Sequence, residues 1–349
     1  MSGPRVVIAA GGTAGHVVPA IAVADALRAE GADVRFAGGE RAEAELVPRA
    51  GYPLELLRVE GISRTNPLKA ARAIGKAAVA LGTARRILLG ADVVLGGGGY
   101  AAGPVGLAAV ASRIPLVLSE ADSHRGLTNR LLAGRARRVC LAFPIEGRDG
   151  DRYLITGRPV PPTVTDREGA RERFGIAPGE TAVLVFGGSL GARSINEAAV
   201  RAFADAPYRV LHVAGRRDFA ALTAPGPHYI LRDYVEPFGA ALAAADLAVA
   251  RAGGSVFELA QYGLPSVLIP YPHASGNHQA ANARWMEQAG AATVLPDEQL
   301  TPERLRAEVD ALVDDEPRRT AIAAASRALA RPDAAHVIAR EVLRAAGER

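Results

Sequence analysis

At 349 residues, with 49% hydrophobic, 22% charged and 5% aromatic side chains, the chain is too apolar to be disordered and long enough for two domain cores of roughly 100 to 200 residues each. A single cysteine excludes a disulfide framework and a multi-cysteine zinc or iron–sulfur centre, and suits a reducing cytoplasm. The net charge of +4 is uneven: residues 1–157 hold 20 Lys and Arg against 14 Asp and Glu, the remainder 21 against 23. A basic first half seeks phosphate, nucleic acid or anionic lipid; with no aromatic RNP pattern, Cys/His finger or helix-turn-helix, nucleic acid is set aside as a partner.

In chain order, the apolar run 6–11 is too short for the core of a secretion signal. A strand over 5–10 leads through glycines to a helix over 20–30 and a second strand over 33–37, and this alternation continues, which predicts parallel sheets with crossover helices. The uncharged stretch 93–112 could nominally span a bilayer, but four glycines at 96–99 and Gly103-Pro104 make it a strand, loop and helix. Cys140, in Arg137-Arg138-Val139-Cys140-Leu141, reads as a buried strand residue. Asp149-Gly150-Asp151 is similar to the metal-binding acid pair of other sugar transferases, yet in a charged loop it reads as a solvated turn, and no metal site is expected. Residues 153–162 form the last strand of the first half and a stiff proline-rich linker. The boundaries expected are 1–157 and 158–333, with a final helix at about 334–349 returning to the first domain.

The chain repeats itself. Val6-Val7-Ile8-Ala9-Ala10-Gly11-Gly12-Thr13-Ala14-Gly15 is echoed about half a chain later by Val183-Leu184-Val185-Phe186-Gly187-Gly188-Ser189-Leu190-Gly191. Ala91-Asp92-Val93-Val94-Leu95 before glycines 96–99 is echoed by Ala245-Asp246-Leu247-Ala248-Val249 before Gly253-Gly254. The fold expected is therefore α/β, two Rossmann-like parallel-sheet domains facing each other across a cleft.

A strand that ends in glycines and opens a helix presents amides and a positive helix end, where phosphates bind. The alternative is that glycine merely makes the tight turn. Gly11 to His16 lacks the Gly-x-Gly-x-x-Gly spacing of a dinucleotide site, only Glu40 is near enough to the second strand to serve as its acid, and no P-loop motif occurs.

Five segments taken together carry a family resemblance: Gly11-Gly12-Thr13-Ala14-Gly15-His16-Val17-Val18-Pro19, Gly98-Gly99-Tyr100-Ala101-Ala102-Gly103-Pro104, Gly126-Leu127-Thr128-Asn129-Arg130, Gly187-Gly188-Ser189-Leu190-Gly191-Ala192-Arg193 and Glu258-Leu259-Ala260-Gln261-Tyr262-Gly263-Leu264-Pro265. In this order they resemble the MurG family of peptidoglycan transferases, inverting GT-B glycosyltransferases that move N-acetylglucosamine (GlcNAc) from UDP to lipid I without a tightly bound metal or other cofactor. The resemblance implies that UDP-GlcNAc is held by the second domain and the undecaprenyl-pyrophosphoryl-muramoyl-pentapeptide acceptor by the first. It implies a donor set of Thr13, Gly15, Gly188, Ser189, Gly191, Gly253, Gly254 and Ser255, with Ser189 and the amides around Gly188 and Gly191 on the diphosphate, Glu258 on the ribose, the backbone of Val235 on uracil, and Gln279 and Asn282 on the sugar. Tyr100 and Asn129 fall on the acceptor side. Glu258 also reads as the acid of a capping box with Ser255, Tyr234 as core and Gln279 as a solvated helix residue. The chain departs from the family at Ser119-Glu120-Ala121-Asp122, which keeps only the glutamate of a His-Glu-Gln-Asn motif, at Leu190, at the shortened loop 251–258, and at Pro161, where an arginine is usual and Arg158 lies nearby.

An inverting transfer needs a base at the acceptor hydroxyl and stabilisation of the departing diphosphate. His16 is the favoured base, because the positive end of a helix disfavours its protonated form; Glu120 and Asp122 compete, and His124 more weakly. The segment 61–91 has no acid and carries Arg64, Lys69, Arg72, Lys76, Arg85 and Arg86 among apolar residues, which suits an anionic membrane surface at the cytoplasmic face; a soluble helix with a charged outer face is the rival.

Overall fold

The computed structural model describes residues 3–57, 79–123, 126–188 and 191–348. The chain forms two compact units, one of residues 1–160 and 331–349, the other of residues 161–330.

Unit 1 is built on a seven-stranded parallel sheet in the order β3-β2-β1-β4-β5-β6-β7. Its strands are β1 (Arg5–Ala9), β2 (Asp33–Gly38), β3 (Leu54–Leu56), β4 (Val93–Gly96), β5 (Leu116–Glu120), β6 (Arg138–Leu141) and β7 (Tyr153–Ile155). Pairs such as Ile8 with Phe36 and with Leu95 set the register at the centre. Strands covered on both faces read as continuous apolar runs, and β1 and β4 are buried along nearly their whole length. One face is covered by α1 (Ala14–Ala29), α2 (Ala42–Arg49) and the last helix of the chain, α13 (Ala334–Gly347), whose Ile338, Ala339 and Val342 join Val17, Val23 and Leu27 in one core. The other face carries a helix over 79–87, α3, with α4 (Ala102–Ala111) and α5 (Leu127–Leu132). The stretch 93–112 is thus strand, loop and helix. Cys140 lies buried in β6, where burial pushes its thiol up to about 12.

Unit 2 repeats the plan with six parallel strands in the order β10-β9-β8-β11-β12-β13. These are β8 (Ala182–Phe186), β9 (Arg209–Val213), β10 (Tyr229–Arg232), β11 (Leu247–Ala250), β12 (Ser266–Leu268) and β13 (Thr293–Val294). Its helices are α6 (Arg167–Arg173), α7 (Arg193–Ala202), α8 (Gly239–Ala244), α9 (Val256–Tyr262), α10 (His278–Gln288), α11 (Pro302–Val313) and α12 (Glu316–Ala328). In each sheet the strand order reverses between the first strand and the fourth, and ligands of such folds bind beyond the carboxyl ends of the strands at that switch point. The echoed glycine turns fall there: after β1 and β4 in unit 1, after β8 and β11 in unit 2. Among the described residues no helix is long and apolar enough to cross a membrane.

Candidate active site

In unit 1 the two switch-point turns are built against each other. The chain leaves β1 through Gly11 and Gly12, and α1 opens with the amides of His16 and Val17 on the Thr13 carbonyl at 3.0 and 3.3 Å. No side chain of its own caps this start and no acid stands in its first turn, so the helix itself supplies nothing to offset its positive end. Gly99 follows β4 with φ +76°, and a Cβ there would collide with the Gly11 carbonyl, so only glycine lets the turns touch. Half-buried His16 lies beside this junction: its Nδ1 is 3.4 Å from Thr13 Oγ1, and its ring packs on the main chain of Gly98. Tyr100, half-buried, covers Gly12 and donates its hydroxyl to Glu43. Thr13 and Gly15 are exposed.

The other two candidate bases sit at the end of β5. Glu120, only 6% exposed, accepts from the Gly126 amide at 2.9 Å and Asn129 Nδ2 at 2.8 Å, with the Asp122 amide 3.4 Å away. Burial raises its carboxyl above the ordinary range, the bonds from Asn129 and Gly126 offsetting only part of this. Asn129 is itself buried and also donates to the Ser119 carbonyl at 3.2 Å. The pair therefore anchors the loop between β5 and α5. Half-exposed Asp122 stands 3.8 Å from the guanidinium of Arg158. Arg158, at the carboxyl side of β7, is buried in unit 1, where it donates to the carbonyls of Gly15 and of Ala121 and so joins the α1 turn to the end of β5. His124 lies outside the described residues.

In unit 2 the turn after β8 contains Gly188, with φ +95° and no described residue within 4 Å of where a Cβ would stand, and Gly191, whose amide bonds to the Gly188 carbonyl at 2.9 Å. Ser189 and Leu190 lie outside the described residues. The α7 start has no side-chain cap and no acid in its first turn. The turn after β11 is braced from within. Buried Arg251 donates to Asp297 Oδ1 at 2.5 Å, to the Ile269 carbonyl at 3.2 Å and to Ser194 Oγ at 2.7 Å, tying it to the first turn of α7. Gly253, Gly254 and Ser255 are half-buried beyond it.

Half-buried Glu258 stands in the first turn of α9. Ser255 makes no cap bond and instead donates to the Arg251 carbonyl at 3.4 Å, so the serine half of the capping box is not formed. Gln279 accepts the Tyr271 amide at 2.9 Å, and its Nε2 lies beside Gly253. Asn282 is fully buried and holds the Ala252 carbonyl at 3.0 Å, bracing the same loop. Val235 is buried, but Tyr234 before it is 41% exposed with Arg216 over its ring at 4.6 Å, which corrects the reading of Tyr234 as core. Asp149 and Asp151 stand in an exposed turn. Glu43, Arg251, Ser194 and Asp297 escaped the sequence reading; the sequence shows Glu43 four positions after Gly39 at a helix start and Arg251 directly after an apolar strand, but not the groups they meet.

Residues 6–141 match the glycosyltransferase family 28 N-terminal domain and residues 182–338 its C-terminal domain. Two relatives carry the name UDP-N-acetylglucosamine–N-acetylmuramyl-(pentapeptide) pyrophosphoryl-undecaprenol N-acetylglucosamine transferase. The one from Moorella thermoacetica is 40% identical, with 97% of this chain and 98% of its own covered; the one from Acidithiobacillus ferrooxidans is 43% identical, with 98% of each covered. The crystal structure of Acinetobacter baumannii MurG superposes with a TM-score of 0.78 at 29% identity over 98% of this chain and 99% of its own. A calicheamicin glycosyltransferase superposes with a TM-score of 0.72 at 20% identity over 100% of this chain and 99% of its own, which speaks for the shared GT-B fold alone. With this likeness running through both units, the chain is a glycosyltransferase and belongs to the MurG family of N-acetylglucosamine transferases.

Proposed function

We propose that the chain transfers GlcNAc from UDP-GlcNAc, with inversion, to the muramoyl 4-hydroxyl of undecaprenyl-pyrophosphoryl-MurNAc-pentapeptide, giving lipid II and UDP. Unit 2 holds the donor and unit 1 the acceptor. What carries this reading is the full-length likeness to transferases whose names specify both substrates, in a chain whose second unit has a glycine turn before an uncapped helix at its switch point.

The donor diphosphate lies at the α7 start against Gly188, Ser189 and Gly191, where main-chain dipoles stabilise the charge that grows on departure. Glu258 accepts from the ribose hydroxyls, the Val235 backbone reads uracil, and Gln279 meets the sugar at the Gly253-Gly254-Ser255 loop, which Arg251 and Asn282 position. His16 takes the proton of the muramoyl hydroxyl as it attacks the anomeric carbon in line. Thr13 and Gly15, at the α1 start, face the donor, Tyr100 lines the acceptor side, and Glu120 with Asn129 shapes its loop. The test is product analysis with UDP-GlcNAc and purified lipid I. A β-linked disaccharide made in preference with UDP-GlcNAc over dTDP-sugars is the expected result; an α linkage or a dTDP preference would assign the chain to another glycolipid or antibiotic pathway.

The same unit meets the membrane peripherally, from the cytoplasm. Support comes from the helical layer over one face of its sheet, where Val79, Leu89, Leu107, Leu127 and Leu131 are each more than half exposed among Arg85, Arg86, Arg130 and Arg135. Arg64, Lys69, Arg72 and Lys76 lie outside the described residues. Each cation near an anionic surface contributes about 1 kcal/mol. Reversing Arg85, Arg86 and Arg130 to Glu should therefore release the protein from anionic vesicles and spare transfer to a water-soluble acceptor; salt-insensitive vesicle binding would remove this face from the account.

A further inference from the structure

We infer that Glu43 is a built-in anion: its carboxylate takes, in unit 1, the Gly12 amide of the glycine turn at the switch point together with the Gly39 amide, and from there it positions Tyr100 and the His16 turn for the acceptor. The inference rests on the proposal that unit 1 takes the acceptor and His16 its proton.

Glu43 lies in the first turn of α2 and is fully buried. Oε2 accepts the Gly12 amide at 2.8 Å; Oε1 accepts the Gly39 amide at 2.9 Å and the Tyr100 hydroxyl. The three donors come from the loops that follow β1, β2 and β4, so one carboxylate joins every turn at the switch point on that side of the sheet. The local sequence makes room for it: a Cβ at Gly11 or Gly38 would run into the Glu43 side chain, and one at Gly39 into the Tyr100 hydroxyl. Burial works to raise this carboxyl, but the bonds from Tyr100, Gly12 and Gly39 outweigh it and hold the group below the ordinary carboxylate range, charged at neutral pH. Glycines that in a dinucleotide site admit a phosphate here admit a side chain, and its charge repels a second anion from the same amides.

The consequence for His16 is geometric. Gly12 precedes the Thr13 carbonyl on which the His16 amide closes, and Gly98, against which the His16 ring packs, is two residues from Tyr100. Glu43 therefore holds both walls of the histidine's environment without touching substrate, as a positioning residue. In unit 2 the acid after the second strand, Asp218, is used differently. It accepts from Arg217 at 2.7 and 2.8 Å and from Asn196 at 3.1 Å, so its described partners are side chains rather than amides of the glycine turn.

The test uses Glu43→Gln and Glu43→Ala in the full chain. Glutamine keeps the shape but turns an NH2 group toward donors. The expected result is a fall in kcat of about 10- to 100-fold with a raised KM for lipid I, while KM for UDP-GlcNAc and UDP affinity stay within about twofold, the scale of losing bonds to a charged acceptor in one unit only. Formate, a carboxylate small enough to enter the vacated cradle, should restore Glu43→Ala several-fold and leave Glu43→Gln and the native enzyme unchanged. Native kcat and KM values in Glu43→Gln, a defect confined to KM for UDP-GlcNAc, or formate-insensitive turnover in a folded Glu43→Ala would each overturn the inference. Should the alanine variant fail to fold, the glutamine kinetics decide. Native turnover in His16→Ala beside an impaired Glu43→Gln would remove the base assignment and keep Glu43; the reverse pattern would remove Glu43 alone.

Discussion

In unit 1 the turn after β1 gives its Gly12 amide to Glu43, and its neighbours are packed so closely that Gly99 touches Gly11. In unit 2 the turn after β8 has the same kind of strand before it and the same uncapped helix after it, yet a Cβ at Gly188 would meet none of the described residues within 4 Å. At Gly12 the turn is closed from inside the protein, whereas at Gly188 no described residue closes it, although Gly191 of the same turn is packed against the Ala214 carbonyl. A glycine turn is therefore a permission and not an assignment, and what enters it depends on residues 30 or more positions away. Glu43 is such a residue in unit 1.

The largest expected effect that would break this comparison lies in the filled unit. His16→Ala should lower turnover by about 10² to 10⁴, the range for removing general-base assistance, with UDP binding by calorimetry intact. Wild-type turnover in that variant would move the proton to Glu120 or Asp122.

The next sharpens the comparison through pH. Burial lowers His212, in β9 of unit 2, to about 4. Asn196 donates its Nδ2 to the Ala214 carbonyl and Asp218, so its Oδ1 receives the proton of His212 Nε2, and Nδ1 accepts from the Tyr229 hydroxyl. The ring is thus neutral in the fold, whereas an unfolded histidine protonates near 6.5. Its contribution is complete above pH 6.5 and is lost as pH falls from there toward 4, on the order of 3 kcal/mol in all. Glu43, held below its ordinary range, contributes above about pH 4.5 and is lost only below it. Melting temperatures between pH 7 and 5 should fall less steeply in His212→Gln than in the native chain; parallel curves would show that His212 does not drive the acid loss.

A smaller effect probes the open unit directly. Glu258→Ala should weaken UDP binding by roughly 1.5 to 3 kcal/mol, as for a charged hydrogen-bond partner, and change melting less. Unchanged UDP affinity with a large drop in melting temperature would make Glu258 a helix-start residue instead. The smallest is Gly188→Ala. With φ +95° and no described neighbour to strike, it should cost only about 1 to 2 kcal/mol of backbone strain, read as a modest shift in melting temperature. Failure of this variant to fold would mean that the turn after β8 is as closely packed as that after β1.

Much of the fold was legible because it follows from periodicity. Apolar runs such as 6–10 and 183–186, short and ended by glycine turns, read as strands covered on both sides, and their repetition implied two sheets of one plan. Site chemistry was less legible wherever a residue's role is set by its partner. Asn129 and Asn282 stand in motifs that suggest ligand contact, and the fold adds what those motifs do not show: each is buried, Asn129 donating to the Ser119 carbonyl of β5 and to Glu120, Asn282 to the Ala252 carbonyl. Arg251 carries no role in one dimension; in three it is enclosed by Asp297, Ser194 and the Ile269 carbonyl.

What the sequence determined by itself, then, were the features that local physics dictates: strand and helix alternation, turn positions, the halved repeat and the motif order that marks the family. What only the tertiary structure decided was occupancy. Whether Gly12 offers its amide to a ligand or to Glu43 depends on where β2 delivers the chain, 30 residues on, and on Tyr100 arriving from β4 to complete the carboxylate's shell. Those encounters are long-range, set by sheet order and burial, and a buried charge is tolerated only where several such donors converge.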